Sequence, residues 1–174
     1  MKYSANPNAI ARIFGGSGHS AIHGTVRFYQ RRDGVMVEAE INGLPRTETN
    51  FFAFHIHEGG SCGGEGFSDS GTHFNPGKDL HPNHAGDLPP LLGNCGKAYM
   101  KVLTGRFHVG EVIGKTVVLH AEADDFHTQP SGNVGAKIAC GVIRTLSLTA
   151  KPQERRKEPT LLLFSCRYLK ERRT

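Results

Sequence analysis

Period-two alternation of apolar and polar side chains is the feature that most constrains the fold of this chain. Residues 35–41 (VMVEAEI) alternate in this way, and residues 25–30 form another extended segment before the turn sequence RRDG. Successive side chains of a strand point to opposite faces, so alternation is typical of a half-buried strand, and the Asp-Gly pair favours a tight turn. Further extended segments lie at residues 9–14, 50–57, 98–103, 115–120 and 137–148, between Gly-, Pro- and Asn-rich connections. With no helical periodicity before residue 150, the pattern predicts an all-β fold, an antiparallel sandwich or barrel.

Two connections are too long for hairpins. They run from residue 58 to about residue 92, and over residues 121–136. Long loops on a rigid β scaffold usually carry function. We therefore expect the functional groups to lie in these two loops and at the strand ends beside them.

The positive net charge lies at the C-terminal end of the chain. The 174 residues carry a net charge of +5, and residues 151–174 account for all of it, with eight Lys or Arg and three Asp or Glu. Because residues 1–150 are neutral, no nucleic-acid partner is expected. We divide the chain into one domain, residues 1–150, and a basic extension, residues 151–174. The extension is interpreted as poorly ordered or a short helix, with a contact to a membrane surface or nucleic acid as the less favoured alternative.

The sequence as written favours a cytoplasmic protein. Its first residues, MKYSANPNAIARIFGG, contain no long apolar run, and eighteen consecutive apolar residues occur nowhere. We therefore expect neither a secretory signal nor a membrane span. Four cysteines are too few for a disulfide-rich secreted scaffold and favour one disulfide or none.

Several histidines cluster in the predicted strands and loops. In the sequence FHIHE, alternation places Phe54 and Ile56 on one face of a strand and His55 and His57 on the other. Two imidazoles on one face can bind one metal ion, although a lone His-x-His pair is more often an ordinary surface or core pair. The first long loop and the strand that follows it add further candidate ligands: His73, His81, His84, Asp87 and His120.

Taken in order, these motifs resemble those of the Cu/Zn superoxide dismutases. The most specific matches are FHIHEGGSC, HAGDLP, HAEADD and KIACGVI, and the likeness extends from about residue 9 to residue 143. Within the family the chain resembles the bacterial type, with a shortened zinc loop. The resemblance implies a Greek-key antiparallel β-sandwich or barrel with two long functional loops. It also implies an enzyme that converts superoxide to oxygen and hydrogen peroxide.

The resemblance further implies which residues hold each metal. The copper ligands would be His55, His57, His73 and His120. The zinc ligands would be His73, which bridges the two metals, with His81, His84 and Asp87. Neutral imidazoles suit both metals, and a carboxylate also suits zinc. Asp124 would link His55 to His81, and Cys62 and Cys140 would form the family disulfide.

The family reaction gives two residues a further role. His73 would take up a proton when copper is reduced, and Lys137 stands where the family usually has an arginine that attracts the anion. The lysine keeps the charge but lacks the planar fork that donates two parallel hydrogen bonds.

A non-catalytic dismutase-like domain that binds or delivers metal is the alternative function. It is motivated by Lys137 and by a gap between His81 and His84 that is several residues shorter than in most family members. The retained set of four copper histidines favours the enzyme. The expected partner is the superoxide anion, and a homodimer is a further expectation.

Overall fold

The computed structural model describes residues 6–146, and the predicted C-terminal extension lies outside the described residues. Eight antiparallel strands form the fold: β1 (Ala9–Gly15), β2 (His23–Arg31), β3 (Gly34–Asn42), β4 (Phe51–His57), β5 (Asp87–Leu92), β6 (Lys97–Thr104), β7 (Thr116–His120) and β8 (Lys137–Thr145). Two short helical segments lie in the connections, a 3-10 segment (Glu65–Ser70) and α1 (Val109–Val112). The predicted all-β class is confirmed. Neither helical segment of residues 6–146 is long and apolar enough to cross a membrane.

The strands form one curved sheet in the order β5-β4-β7-β8-β1-β2-β3-β6. Three pairings join strands that are not consecutive in the chain: β3 with β6, β4 with β7 and β1 with β8. This connectivity is of the Greek-key kind that the family resemblance implies. The end strands β5 and β6 approach each other without forming a ladder among the described residues, which makes the sheet a nearly closed barrel.

The barrel interior is filled by the apolar face of each strand. In β3, Val35, Val37, Ala39 and Ile41 are at most 1% exposed, while the side chains between them point outward. Phe28 on the paired strand β2 is fully buried in the same core. Removing a ring of that size to Ala typically costs about 3–5 kcal/mol of unfolding free energy. The core therefore gives the loops a rigid base.

One strand was not predicted. β5 lies inside the long connection expected from residue 58 to about 92, so the first loop ends at residue 86. The sequence of β5, DLPPLL, contains two prolines, which are typical of turns. They are tolerated on an end strand because no second neighbouring strand needs the N–H groups that proline lacks. At the other end of the fold, β8 ends at Thr145, and residues 147–148 of that predicted strand lie outside the described residues.

Candidate metal centre

β4 carries two of the predicted ligands on one face. Phe54 and Ile56 point into the barrel core, and His55 and His57 alternate with them. Both imidazoles are nevertheless at most 2% exposed. Their face is covered by the first loop (residues 58–86) and the second loop (residues 121–136), which supply their hydrogen-bond partners. The strand pattern therefore aims the rings, and the loops bury them.

Four buried histidines converge beside β4, and we call them the four-histidine group: His55, His57, His73 and His120. One nitrogen from each lies within 4.8 Å of the others. His73 pairs with His57 through an isolated bridge, and His120 ends β7 at a register shift against β8. Bulges of this kind re-aim side chains beside functional sites. His57 Nδ1 donates to the Gly71 carbonyl (2.9 Å), and its Nε2 lies 3.2 Å from His120 Nε2.

A second cluster adjoins the first, and we call it the Asp87 group: His73, His81, His84 and Asp87. Its ligand atoms also lie within 4.8 Å of one another. Asp87 Oδ1 is 2.7 Å from His73 Nδ1, and its Oδ2 is 3.0 Å from His81 Nδ1 and 3.2 Å from His84 Nδ1. Three imidazoles and a carboxylate in a closed cluster are a donor set that suits a four-coordinate zinc ion.

His73 belongs to both groups. Its Nδ1 faces Asp87, whereas its Nε2 is buried and has no hydrogen-bond partner among the described residues. Nδ1 of His55 and Nδ1 of His81 likewise make no hydrogen bond within residues 6–146; Asp87 Oδ2 lies 3.0 Å from His81 Nδ1 but not in hydrogen-bond geometry. Buried polar atoms are nearly always paired, so three such nitrogens at the centre of two donor clusters fit direct binding of metal ions. The groups thus share one imidazole that offers a nitrogen to each.

Asp124 in the second loop connects the two groups from behind. Its Oδ2 accepts from His55 Nε2 and its Oδ1 from His81 Nε2, both at 2.8 Å. Each ring therefore turns its other nitrogen, Nδ1, toward its cluster. Gly132 lets the loop pass this close, because a β-carbon there would lie 2.1 Å from Asp124 Oδ1. This is the contact that the sequence resemblance implies for Asp124.

Burial lowers the pKa of three candidate ligands, His55, His57 and His120, and so favours their neutral form. Desolvation lowers the pKa of His57 to about 2, although its bond to Gly71 opposes the shift, and it lowers the pKa of His120 to about 3. Burial alone would raise the pKa of Asp124, but hydrogen bonds led by His55 outweigh it and lower the pKa to about 2. Neutral imidazoles beside ionised carboxylates are the protonation states that metal binding requires.

A disulfide ties the first loop to the barrel. Cys62 is bonded to Cys140 in β8, 78 residues away in sequence. Phe67 and Val118 pack beside Cys140 in a small apolar cluster at this point. The loop that carries His73 is therefore fixed to the last strand by a covalent link, as the resemblance implies.

The sequence model of copper/zinc superoxide dismutase matches residues 22–143, about 70% of the chain. The chain belongs to the copper/zinc superoxide dismutase family. Within that family, a Cu-Zn superoxide dismutase of Xenopus laevis is 37% identical over 147 residues, covering 75% of this chain and 93% of the relative. Cu-Zn superoxide dismutase 1 of Aquifex aeolicus is 34% identical over 139 residues, covering 70% and 79%.

The fold of this dismutase-family chain also matches solved structures. The Cu/Zn superoxide dismutase from Brucella abortus superposes with a TM-score of 0.66 at 25% identity, covering 77% of this chain and 98% of that one. The match spans nearly the whole of the solved chain. The barrel and its loops therefore correspond to nearly all of that solved chain.

Lys137 lies at the mouth of the centre. A cavity of about 420 Å³ opens beside Lys137, His57, His73 and His120. The Lys137 ammonium donates to Ser70 Oγ and the Gly71 carbonyl, both at 2.8 Å, and lies 3.5 Å from the Phe67 carbonyl. Burial lowers its pKa from the usual lysine value. The charge thus faces the cavity while the N–H groups are engaged by the loop.

Two supporting residues were missed by sequence reasoning. Gln129 brackets His81, because its Oε1 accepts from the His81 N–H (3.0 Å) and its Nε2 donates to the His81 carbonyl (2.7 Å). Arg106 donates to the backbone carbonyls of Pro82, His84 and Asp87. Both contacts join a side chain to backbone groups far away in sequence, so no local pattern marks them.

Proposed function

We propose that the protein is a superoxide dismutase, with copper held by the four-histidine group and zinc by the Asp87 group. The observation that carries the proposal is the sharing of His73 between two complete donor sets. Four imidazoles suit copper, and three imidazoles with a carboxylate suit zinc. Membership of the dismutase family supports the same assignment.

The chemistry that copper supplies when bound is one-electron redox. One superoxide is oxidised to oxygen, and a second is reduced and leaves with two protons as hydrogen peroxide. The protein must therefore admit a small anion and deliver protons. The cavity beside His57, His73 and His120 provides the entrance.

His73 and Lys137 carry the proposed catalytic roles. His73 Nε2 is buried beside the cavity and can hold a proton while Nδ1 remains beside Asp87. Lys137 places a positive charge at the cavity, which raises the encounter rate of an anion. Because its N–H groups already bind Ser70 and Gly71, we propose that it attracts superoxide by charge rather than by donating hydrogen bonds to it.

The alternative function is a non-catalytic domain that binds or delivers metal. The hydrogen bonds of the Lys137 ammonium favour this alternative. Two of its three N–H groups are engaged at 2.8 Å and the third lies 3.5 Å from the Phe67 carbonyl, so it cannot offer two free N–H groups to orient an anion. Two observations favour the enzyme. The four-histidine group is complete, and an open cavity lies beside it, which a storage or delivery site does not need. We therefore retain the enzyme as the proposed function.

The deciding experiment measures metal content and superoxide decay on the same samples. Protein loaded with copper and zinc should dismutate superoxide, and His120→Ala should lose nearly all of that activity. His23→Ala is the matched control, because His23 is an exposed histidine at the start of β2, outside both groups. No activity at verified copper occupancy would support the non-catalytic alternative. Full activity of His120→Ala would reject the copper assignment.

Two further statements about this protein remain predictions. A homodimer would be tested by light scattering coupled to size-exclusion chromatography. The cytoplasmic location would be tested by cell fractionation. Neither bears on the assignment of the metal groups.

A further inference from the structure

The segment that carries three members of the Asp87 group has few internal hydrogen bonds. Residues 81–87, HPNHAGD, turn sharply enough to bring His81, His84 and Asp87 together. Within the segment, the Asp87 N–H donates to the His84 carbonyl and the His84 N–H donates to Asp87 Oδ2, both at 3.1 Å. These two bonds fix the turn between His84 and Asp87. They leave the Pro82 carbonyl without a partner inside the segment and give the His84 carbonyl only one.

One guanidinium nitrogen contacts three carbonyls of this segment, which share its two N–H groups. Nη1 of Arg106 lies 2.9 Å from the Pro82 carbonyl, 3.2 Å from the His84 carbonyl and 3.2 Å from the Asp87 carbonyl. Hydrogen bonds from an ionised donor are roughly twice as strong as neutral ones. Three carbonyl dipoles that converge on one point would repel one another without a cation between them. Arg106 therefore offsets a repulsion that the short turn creates.

The position of Arg106 is itself fixed by the barrel. Arg106 lies between the end of β6 and α1, and the next residue, Phe107, is buried in the core. The Arg106 N–H donates to Thr104 Oγ1 at 3.2 Å. The guanidinium thus reaches 19 to 24 residues back along the chain from an anchored backbone.

We propose that Arg106 is a positioning residue for the zinc site, acting through the backbone of residues 81–87. The inference rests on the proposed function, since it requires that the Asp87 group binds zinc. Two of the three bonded carbonyls belong to the ligands His84 and Asp87 themselves. The third ligand of the segment, His81, is held separately by Gln129. Arg106 therefore fixes the His84–Asp87 end of the segment.

The effect should be confined to one metal. Among the described residues, none of the hydrogen bonds of Arg106 reaches the four-histidine group. Loss of Arg106 should then weaken zinc binding and leave copper binding unchanged. Partners outside the ligand set typically contribute about 10- to 100-fold to metal affinity. Because Arg106 is itself an exposed residue, we expect about tenfold, the lower end of that range.

The test uses the full chain and three variants. Arg106→Met removes the donors and the charge, and Arg106→Lys restores a cation with three donors. Arg27→Met is the control, since Arg27 is a partly exposed arginine of β2 that pairs with Glu40 at 3.7 Å. Zinc and copper affinities are measured separately by competition with a chelator. Binding of Co²⁺ in place of zinc is followed by its visible absorption, which reports ligand geometry.

The expected result is about tenfold weaker zinc binding and an altered Co²⁺ spectrum in Arg106→Met. Arg106→Lys should recover most of both, and copper affinity should stay within threefold throughout. Equal zinc affinity in Arg106→Met and wild type would overturn the inference, as would an equal loss in Arg27→Met. If Arg106→Met does not fold, Arg106→Gln takes its place, with the same outcomes. Wild-type protein that binds copper but no zinc would overturn the zinc assignment and the inference together.

Discussion

Replacing Asp124 by asparagine should break one link between the two metal groups without changing the size of the side chain. The Asp124 carboxylate accepts three hydrogen bonds: one at Oδ2 from His55, and two at Oδ1 from His81 and from the backbone N–H of Phe126. An asparagine keeps one acceptor oxygen and presents an NH₂ group in place of the other. One imidazole N–H must then face a donor instead of an acceptor.

The size of the effect follows from burial and charge. The side chains of His55, His81 and Asp124 are at most 1% exposed, so water cannot replace the lost partner. A hydrogen bond to a charged group contributes about 1.5–3 kcal/mol, and each 1.4 kcal/mol is tenfold in affinity, which gives roughly 10- to 140-fold. The bond strengthens when the ring binds a cation, because its remaining N–H becomes a better donor. We therefore expect the metal affinity to fall by that factor in the group whose histidine, His55 or His81, loses its acceptor.

Chelator competition, run separately for copper and zinc, measures the effect of Asp124→Asn. The metal whose affinity falls identifies which oxygen the amide nitrogen replaces. Asp33→Asn is the control, since Asp33 is an exposed carboxylate in the turn between β2 and β3. If both affinities of Asp124→Asn stay within threefold of wild type, the Asp124 bonds do not orient the ligands and the reasoning is wrong.

Three further predictions follow from the site and the barrel surface. Lys137→Gln should slow dismutation and flatten its salt dependence, whereas Lys137→Arg should keep the wild-type rate and salt dependence. An unchanged salt dependence in Lys137→Gln would refute the attraction of superoxide by Lys137. His84→Ala with Asp87→Ala should abolish zinc binding and retain copper binding in metal analysis, and retained zinc would refute the ligand set. The hydrogen bond from the Tyr99 hydroxyl lowers the pKa of Glu38 below its usual value of 4.5. The ionised Glu38 carboxylate therefore stabilises the fold fully above pH 4.5, and this stabilisation is lost as the pH falls through the lowered pKa. Glu38→Gln should flatten the acid side of a stability–pH curve from thermal unfolding, and an unchanged curve would contradict this.

Much of the barrel could be predicted because its signals are local. The alternation in residues 35–41 predicts β3, and the turn RRDG predicts the link between β2 and β3, which the structure shows as Arg31 paired with Gly34. β5 was missed because Pro89 and Pro90 are usual signs of a turn. The prolines are tolerated because β5 lies at one end of the sheet, and that position depends on the whole fold.

The proposed metal ligands and the supporting residue Asp124 could be predicted, but the side chains that hold the ligand backbone could not. His55 and His57 follow from strand alternation, and the other ligands follow from motif order and family resemblance. Arg106 and Gln129 act on backbone groups across 19 or more residues, so their roles depend on how the loops fold. The engagement of Lys137 by Ser70 is equally hidden, because the sequence shows the charge and not its partners.

The shared residues make the two metal affinities depend on each other. His73 offers one nitrogen to each group, and Asp124 holds one ring of each. A metal ion in the Asp87 group fixes His73 and, through His81 and Asp124, the ring of His55, so copper should then bind to a better-ordered site. Zinc should therefore raise the affinity for copper, and linkage requires copper to raise the affinity for zinc by the same factor. Chelator titrations of each metal with and without the other measure both factors. Two factors near one would show that the shared imidazole and carboxylate do not couple the sites, and two unequal factors would show that a metal had bound in the wrong group.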